Sequence, residues 1–340
     1  MKILIITQKI DKNDTVLGFF HTWLTELSTK FESVEVICLE KGKFDLPKNV
    51  TVYSLGKERG ISKISFVKNL YKYLFLISGT YDRVFVHMNE EYVLLAGLYW
   101  KLKGIPVYLW RNHPKGSLKT RLAVAMSTKV FCTSKSSFTA KFSKTVIMPA
   151  GINTKIFKPV PGVVRQKYSV CMVGRISPVK RIEVALHAIK ILSSHGVQVS
   201  LSVIGPVATK DLRYFESLKK YVLDNNLSKT ISWKEAVSPE KLPEIYSGYE
   251  ICLNLTPSGS FDKTIVEASA CGTVPLVSNS SLSDFLPTIC ITGTSPDEVA
   301  ESIQRLLEPK EQVKIQDELK SFIESQSLKE LVDRLVVEIK

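Results

Sequence analysis

A chain of 340 residues, 44% of them hydrophobic, is too long for one hydrophobic core and too apolar for a disordered polymer, so two domains of about 150 to 180 residues each are expected. The net charge of +13 is uneven: residues 1–157 hold 24 Lys and Arg against 11 Asp and Glu, whereas residues 158–340 hold 22 of each. No apolar run approaches the roughly 18 residues that span a bilayer, and the six cysteines form no CxxC pair, so they read as reduced thiols of a cytosolic protein and not as a zinc or disulfide framework.

Along the chain, apolar runs alternate with helical patterns at short spacing, the signature of parallel sheets with crossover helices. Met1-Lys-Ile-Leu-Ile-Ile6 is too short for a signal peptide and opens a first strand at 2–7. The loop Gln8 to Gly18 follows, and Gly18 opens a helix from Phe19 to Lys30. With one glycine and no GxGxxG, this loop argues against a dinucleotide oxidoreductase. Further strands are expected at 33–39, 83–87, 106–110, 129–132 and 144–148. Residues 62–78 form a basic, aromatic helical segment, with Lys63, Lys68 and Lys72 among Phe66, Tyr71, Tyr73 and Phe75. It reads either as a half-buried domain helix or as a helix lying on a membrane surface. His87 ends one strand, either as an acceptor contact or as a satisfied structural histidine. Trp110-Arg-Asn-His-Pro-Lys-Gly116 follows another, where Arg111, Asn112 and His113 are candidate polar groups and an ordinary turn is the plain alternative.

The proline-rich Phe157-Lys-Pro-Val-Pro-Gly162 marks the expected domain boundary. Strands are then expected at 168–173, 197–204, 230–233, 250–255 and 274–278, and Leu328 to Ile339 reads as a terminal helix. Val173-Gly-Arg-Ile-Ser-Pro-Val-Lys-Arg-Ile182 joins a strand to a helix whose apolar face is Ile182, Ala185, Leu186, Ile189 and Leu192. This places Lys180 and Arg181 in the first helical turn, where the macrodipole disfavours cations unless an anion is bound there. A second such site is Thr256-Pro-Ser-Gly-Ser-Phe-Asp-Lys-Thr-Ile-Val-Glu267, a small-residue loop opening a helix near Thr264. Its backbone N–H groups suit an anion, and Glu267 suits ribose hydroxyls. Alternatively, Thr264 and Glu267 form a capping box.

These two segments, with Met148-Pro-Ala-Gly-Ile-Asn-Thr-Lys-Ile-Phe-Lys-Pro159 before them, resemble the retaining glycosyltransferases of family 4 over nearly the whole chain. The resemblance implies an α/β protein of the GT-B fold, two facing Rossmann-like parallel-sheet domains with a cleft between them. Residues 1–157 would form the acceptor-binding domain and 158–325 the nucleotide-sugar-binding domain. Residues 326–340 would form a helix that crosses back to the first. Gly174, Arg175 and Lys180 inherit the family's role on the donor diphosphate; the glycine usual after the lysine is Arg181 here. Glu267 matches the family's ribose-binding glutamate, but the glutamate usual eight positions earlier is Gly259, so Asp262 or Lys263 is a candidate for the sugar contact. Ser260, Phe261, Thr264 and Ile265 complete the implied donor loop, with Gly18 at the opening of the first helix, Gly205 after its strand and His113 near the donor sugar.

The implied reaction moves a sugar from a UDP-sugar or GDP-sugar to the hydroxyl of a glycan, lipid-linked or cell-envelope acceptor, with retention and without a cofactor or metal. A sugar-nucleotide epimerase or phosphorylase of the same fold, or a non-catalytic nucleotide-sugar-binding protein, is the alternative. The basic first half favours an anionic partner such as a membrane surface, consistent with a cytoplasmic protein peripheral at the inner face of the membrane. Nucleic acid is suggested by charge alone and is not an expected partner.

Overall fold

The computed structural model describes residues 1–14, 16–258 and 261–340. The chain divides into two compact units, one containing Met1–Gly151 and Leu328–Lys340 and the other Ile152–Ser258 and Asp262–Ser327. The proline-rich segment lies within the second unit, where Phe157 packs beside Tyr246 with ring centroids 6.4 Å apart.

The first unit contains seven parallel strands in the order β3-β2-β1-β4-β5-β6-β7. In chain order they are β1 (Lys2–Ile10), β2 (Ser33–Lys41), β3 (Val50–Ser54), β4 (Arg83–His87), β5 (Val107–Trp110), β6 (Lys129–Cys132) and β7 (Thr145–Ile147). Between them run α1 (Phe19–Ser28), α2 (Lys63–Leu76), α3 (Glu91–Leu102) and α4 (Leu118–Met126). Strand β1 outlasts its expected end because Lys9 and Ile10 continue the pairing with Glu40 and Lys41. The Lys9 ammonium is held by Glu40 at 2.8 Å and Asp14 at 2.9 Å, and these bonds push its pKa up. Strand β3 was not expected: it is a half-exposed edge, and only its Val50 and Val52 carry the alternation that marks a strand.

Parallel strands buried on both faces read as continuous apolar runs, as at Ile3, Leu4, Ile5 and Ile6. Leu4, Ile6, Val84 and Val86 pack against Leu70, Val93, Trp100 and Val124 of α2, α3 and α4. Of the segment 62–78, residues 63–76 form a half-buried domain helix, capped by Ser62, whose hydroxyl accepts from the Ser65 amide at 3.3 Å. Leu70 and Leu74 are buried, and Phe66, Tyr71 and Tyr73 are partly buried against the same core. The opposite face packs Ile3, Ile5 and Phe85 against Trp23 and Leu24 of α1.

The second unit contains five parallel strands in the order β10-β9-β8-β11-β12. They are β8 (Ser169–Val173), β9 (Ser200–Ile204), β10 (Ile231–Lys234), β11 (Ile251–Asn254) and β12 (Val274–Val277). Its helices are α5 (Ile182–Ser194), α6 (Leu212–Asp224), α7 (Leu242–Ser247), α8 (Lys263–Ala270), α9 (Pro296–Leu306) and α10 (Pro309–Ser325). The expected apolar face of α5 is buried in full. Strand β9 starts three residues later than expected, because the Val197 amide donates to the Leu192 carbonyl at 2.9 Å and closes the end of α5.

The last helix, α11 (Leu328–Ile339), belongs to the first unit and buries Leu331, Val332 and Leu335 beside Trp23 and Phe20. Each such aliphatic side chain contributes about 1.5–3 kcal/mol when fully buried. Lys30 pairs with Asp333 at 2.8 Å, and the Arg83 guanidinium and Tyr108 hydroxyl both donate to the Ile339 carbonyl.

Both sheets reverse their strand order at the first strand: β1 lies between β2 and β4, and β8 between β9 and β11. Open α/β sheets bind ligands beyond the strand ends at such switch points.

Candidate functional site

At the switch point of the second unit, the loops after β8 and β11 meet. The first leaves β8 through Gly174, whose φ of 136° lies in a region that disfavours any residue with a Cβ. A Cβ there would approach Lys180 Cε at 3.3 Å, so glycine lets the lysine stem lie close over the turn. The loop then makes a 3-10 turn, Pro178–Lys180, and Arg181 sits in the left-handed region at φ 52°, ψ 44° before α5 begins. Lys180 and Arg181 therefore precede the helix and do not occupy its first turn. The left-handed Arg181 accounts for a glycine preference at this position, since a side chain there costs about 1–2 kcal/mol.

From the other side, Asp262 is the N-cap of α8, its Oδ1 accepting from the Thr264 amide at 3.2 Å and the Thr264 hydroxyl at 3.0 Å. Its Oδ2 is ion-paired with Lys180 and accepts from Asn254 Nδ2 at 2.9 Å. Burial pushes the Asp262 carboxyl up, but Lys180, Asn254 and the Thr264 amide together hold it below the ordinary value. Asn254 also donates to the Thr264 hydroxyl at 3.1 Å and accepts from the Thr256 amide at 3.1 Å, tying the loop to the helix start. Gly174, Arg175, Lys180 and Asn254 line a small pocket together with Met172 and Leu253. Arg175 is exposed.

The capping box of Thr264 and Glu267 is not formed, since Asp262 takes the cap. Glu267 instead accepts from the Tyr246 hydroxyl at 3.1 Å. Burial pushes Glu267 up to about 7 and Lys263 down to about 7, while each one's charge favours the ionised form of the other. Tyr246 is fully buried, and burial, then the nearby Glu267, pushes its phenol well above the ordinary value, so it remains a donor. Ile265, in the first turn of α8, is buried, and so is Phe261, which belongs to the first unit. Ser260 and Gly259 lie outside the described residues.

Gly205, at φ 151°, packs backbone to backbone on Gly174: a Cβ would overlap the Gly174 carbonyl oxygen. Its close approach is thus to the neighbouring loop. Trp233 packs edge-on against Phe215 with ring centroids 5.1 Å apart.

In the first unit, Gly18 is the N-cap of α1, its amide donating to the Asp14 carbonyl at 3.0 Å. His87 is buried, 3.0 Å from the Thr7 hydroxyl and stacked on Phe20 at 4.0 Å, the arrangement of a structural histidine. His113 is exposed, its Nδ1 folded back on the Lys115 backbone, and its own carbonyl accepts from the Phe138 amide at 2.9 Å. Arg111 is ion-paired with the buried Glu90, whose other oxygen accepts from Thr120 at 3.0 Å. That pairing ties the guanidinium to the residue that opens α3.

Two participants escaped the sequence reading. Asn254 was the detectable one, a polar residue ending an otherwise apolar strand. Tyr246 carries no local signal, because its contact with Glu267 depends on how α7 packs on α8.

Comparison with known proteins bears on the family and the fold. The sequence model of the family described as Glycosyl transferases group 1 matches residues 153–327, just over half of the chain. The chain is similar to a D-inositol 3-phosphate glycosyltransferase of Acidothermus cellulolyticus, 26% identical over 182 residues, covering 48% of this chain and 40% of that protein. A protein of the same description from Paenarthrobacter aurescens is 22% identical over 187 residues, covering 50% and 45%. The alignment thus spans less than half the length of each of these curated relatives. Among solved structures, Anabaena HepE in complex with UDP-glucose superposes with a TM-score of 0.77 at 14% identity, covering 99% of this chain and 98% of that one. WaaG, a glycosyltransferase involved in lipopolysaccharide biosynthesis, superposes with a TM-score of 0.71 at 14% identity over 99% of both chains. With two parallel α/β units on the GT-B plan and a family match over the unit that holds the Lys180 and Glu267 loops, this chain belongs to the glycosyl transferases group 1 family.

Proposed function

We propose that this protein is a retaining glycosyltransferase that moves a sugar from a nucleoside diphosphate sugar to the hydroxyl of a glycan or lipid-linked acceptor. The observation that carries the reading is the convergence of Lys180, Asn254 and the N-terminus of α8 at the switch point of the second unit, with Glu267 one turn into the helix. In this reading Lys180, Arg175 and the α8 amides stabilise the leaving diphosphate as its charge develops. Glu267 accepts from the ribose hydroxyls, and Asp262 or Lys263 contacts the sugar. The bond from the anomeric carbon to the phosphate oxygen breaks while the acceptor oxygen bonds that carbon on the same face. The acceptor proton passes to the departing phosphate oxygen, so no protein base and no metal is required. His113 is proposed as the group of the first unit that meets the donor sugar.

The HepE complexes with UDP and with UDP-glucose support a nucleotide-sugar donor, and a UDP- or GDP-sugar is proposed here. A cytoplasmic location at the inner face of the membrane belongs to the same reading, and no helix among the described residues is long and apolar enough to cross a membrane.

A second reading, nucleotide-sugar binding without turnover, draws on Gly259, which stands where related enzymes have a glutamate. Melting curves with UDP, GDP, ADP and their sugars, for the native chain and for Lys180→Ala and Glu267→Ala, test the site. A ligand at about 100 times its dissociation constant should stabilise by about 2.7 kcal/mol, and both substitutions should abolish the rise. If no nucleotide shifts the melting point of the folded protein, the transferase reading fails. A shift without turnover of the sugar leaves the binding-only protein.

A further inference from the structure

The net positive charge of the first unit is concentrated in one stretch of chain. Residues 1–59 hold 9 Lys and Arg against 8 Asp and Glu, whereas residues 60–151 hold 14 against 3. That second stretch contains α2, α3 and α4, which pack on the same face of the sheet. They are neighbours: the Tyr71 hydroxyl of α2 donates to the Leu95 carbonyl of α3 at 2.7 Å, and Phe75 meets Tyr99 edge-on at 5.9 Å. Helix α4 lies alongside α3.

Each of these helices turns an apolar stripe away from the core. On α2, Ile64 and Phe75 are 70% and 66% exposed, with Lys68 and Lys72 between them on the same stripe. On α3, Leu98 and Leu102 are 62% and 80% exposed, with Lys101 beside them. On α4, Leu118 and Leu122 are 83% and 55% exposed, with Lys119 and Arg121 beside them. Single exposed leucines are ordinary on soluble proteins. Here they recur on three adjacent helices, which carry six Lys and Arg and one acidic residue, Glu91. Among the described residues, Lys68, Lys72, Lys101 and Lys119 form no ion pair within the protein.

We propose that the outer face of α2, α3 and α4 docks on an anionic lipid bilayer. Charge complementarity selects this occupant: unpaired lysines matched to acidic headgroups, with apolar tips between them reaching the acyl boundary. Lysine stems of this length lie along apolar surface while their ammonium groups stay in the headgroup layer. The inference is independent of donor chemistry, because none of these side chains belongs to the second unit.

The test is co-sedimentation of the full chain with vesicles of phosphatidylcholine alone and of phosphatidylcholine mixed with phosphatidylglycerol. Binding to the mixed vesicles is expected, weakened by salt as screened attraction must be, with little binding to the neutral ones. Lys68→Glu with Lys72→Glu, and separately Leu98→Ser with Leu102→Ser, should each weaken it by more than about tenfold. Because these positions are exposed, both variants should keep the native melting point and the nucleotide-induced shift, which separates loss of docking from loss of fold or of the donor site. Binding indifferent to lipid charge, or unaffected by both variants, would overturn the proposal. So would light scattering that shows a native dimer which the Leu98 and Leu102 variant converts to monomer, since the face would then belong to a second copy of the chain.

Discussion

The Lys180 ammonium and the Asp262 carboxylate, 82 positions apart in sequence, form an ion pair at the N-terminus of α8, where Asp262 also caps the helix. Both side chains are largely buried, with 18% and 17% exposure. The protein's own carboxylate thus sits at the cation and the helix end that a donor phosphate would use.

Competition follows from that geometry. Asp262→Asn retains a good N-cap but removes the charge that holds Lys180, and should lower the stability of the free protein by about 2 kcal/mol. Nucleotide affinity, measured by titration calorimetry, should rise because the phosphate no longer displaces a carboxylate. A fall in affinity would instead assign Asp262 to the ligand, as the sugar contact in place of the glutamate absent at position 259.

A ribose held by Glu267 would make donor binding sensitive to pH near neutrality. The folded pKa of Glu267 is raised, to about 7, by burial first. The protonated form is therefore favoured in the free protein below about pH 7, and the stability this group contributes is present below its unfolded pKa and lost as pH rises through 7. Ribose hydroxyls donating to the carboxylate favour the ionised form, so nucleotide affinity should increase between about pH 6 and pH 8, by less than the limit of about 1.4 kcal/mol per pH unit for one proton. Glu267→Gln should flatten that profile. A native profile already flat across this range would show that Glu267 does not ionise on binding.

Arg181 occupies the left-handed region that only glycine enters without strain. Arg181→Gly relieves a cost of about 1–2 kcal/mol, set against the greater unfolded-state freedom of glycine, about 0.5–1 kcal/mol. A net gain of a few tenths to about 1 kcal/mol is expected, read as a higher urea midpoint at unchanged slope. A loss of stability would mean that the arginine side chain makes compensating contacts.

Much of the architecture was legible because parallel α/β units write themselves locally. Continuous apolar strands such as Ile3 to Ile6, the amphipathic repeat of α5 and the start signals before α8 each depend on residues a few positions apart. The pattern around Gly174, Lys180 and Glu267 was legible for the same reason, since a strand, a glycine turn and a helix start are consecutive in the chain. Strand β3 escaped because an edge strand that buries little needs little alternation, and the start of α5 was misplaced because nothing in Val179-Lys180-Arg181 announces a left-handed residue.

What the sequence determined by itself is therefore the class of fold, the family resemblance and the chemical types gathered on each loop. Only the tertiary structure decided how those groups pair. It gave Asp262 to Lys180 and Glu267 to Tyr246, and it gave Arg111 to the buried Glu90. It also turned the apolar crests of α2, α3 and α4 to one side. The reason is that strand order, not sequence distance, sets which loops meet: β8 and β11 are neighbours in the sheet, so residues 82 positions apart share one pocket edge.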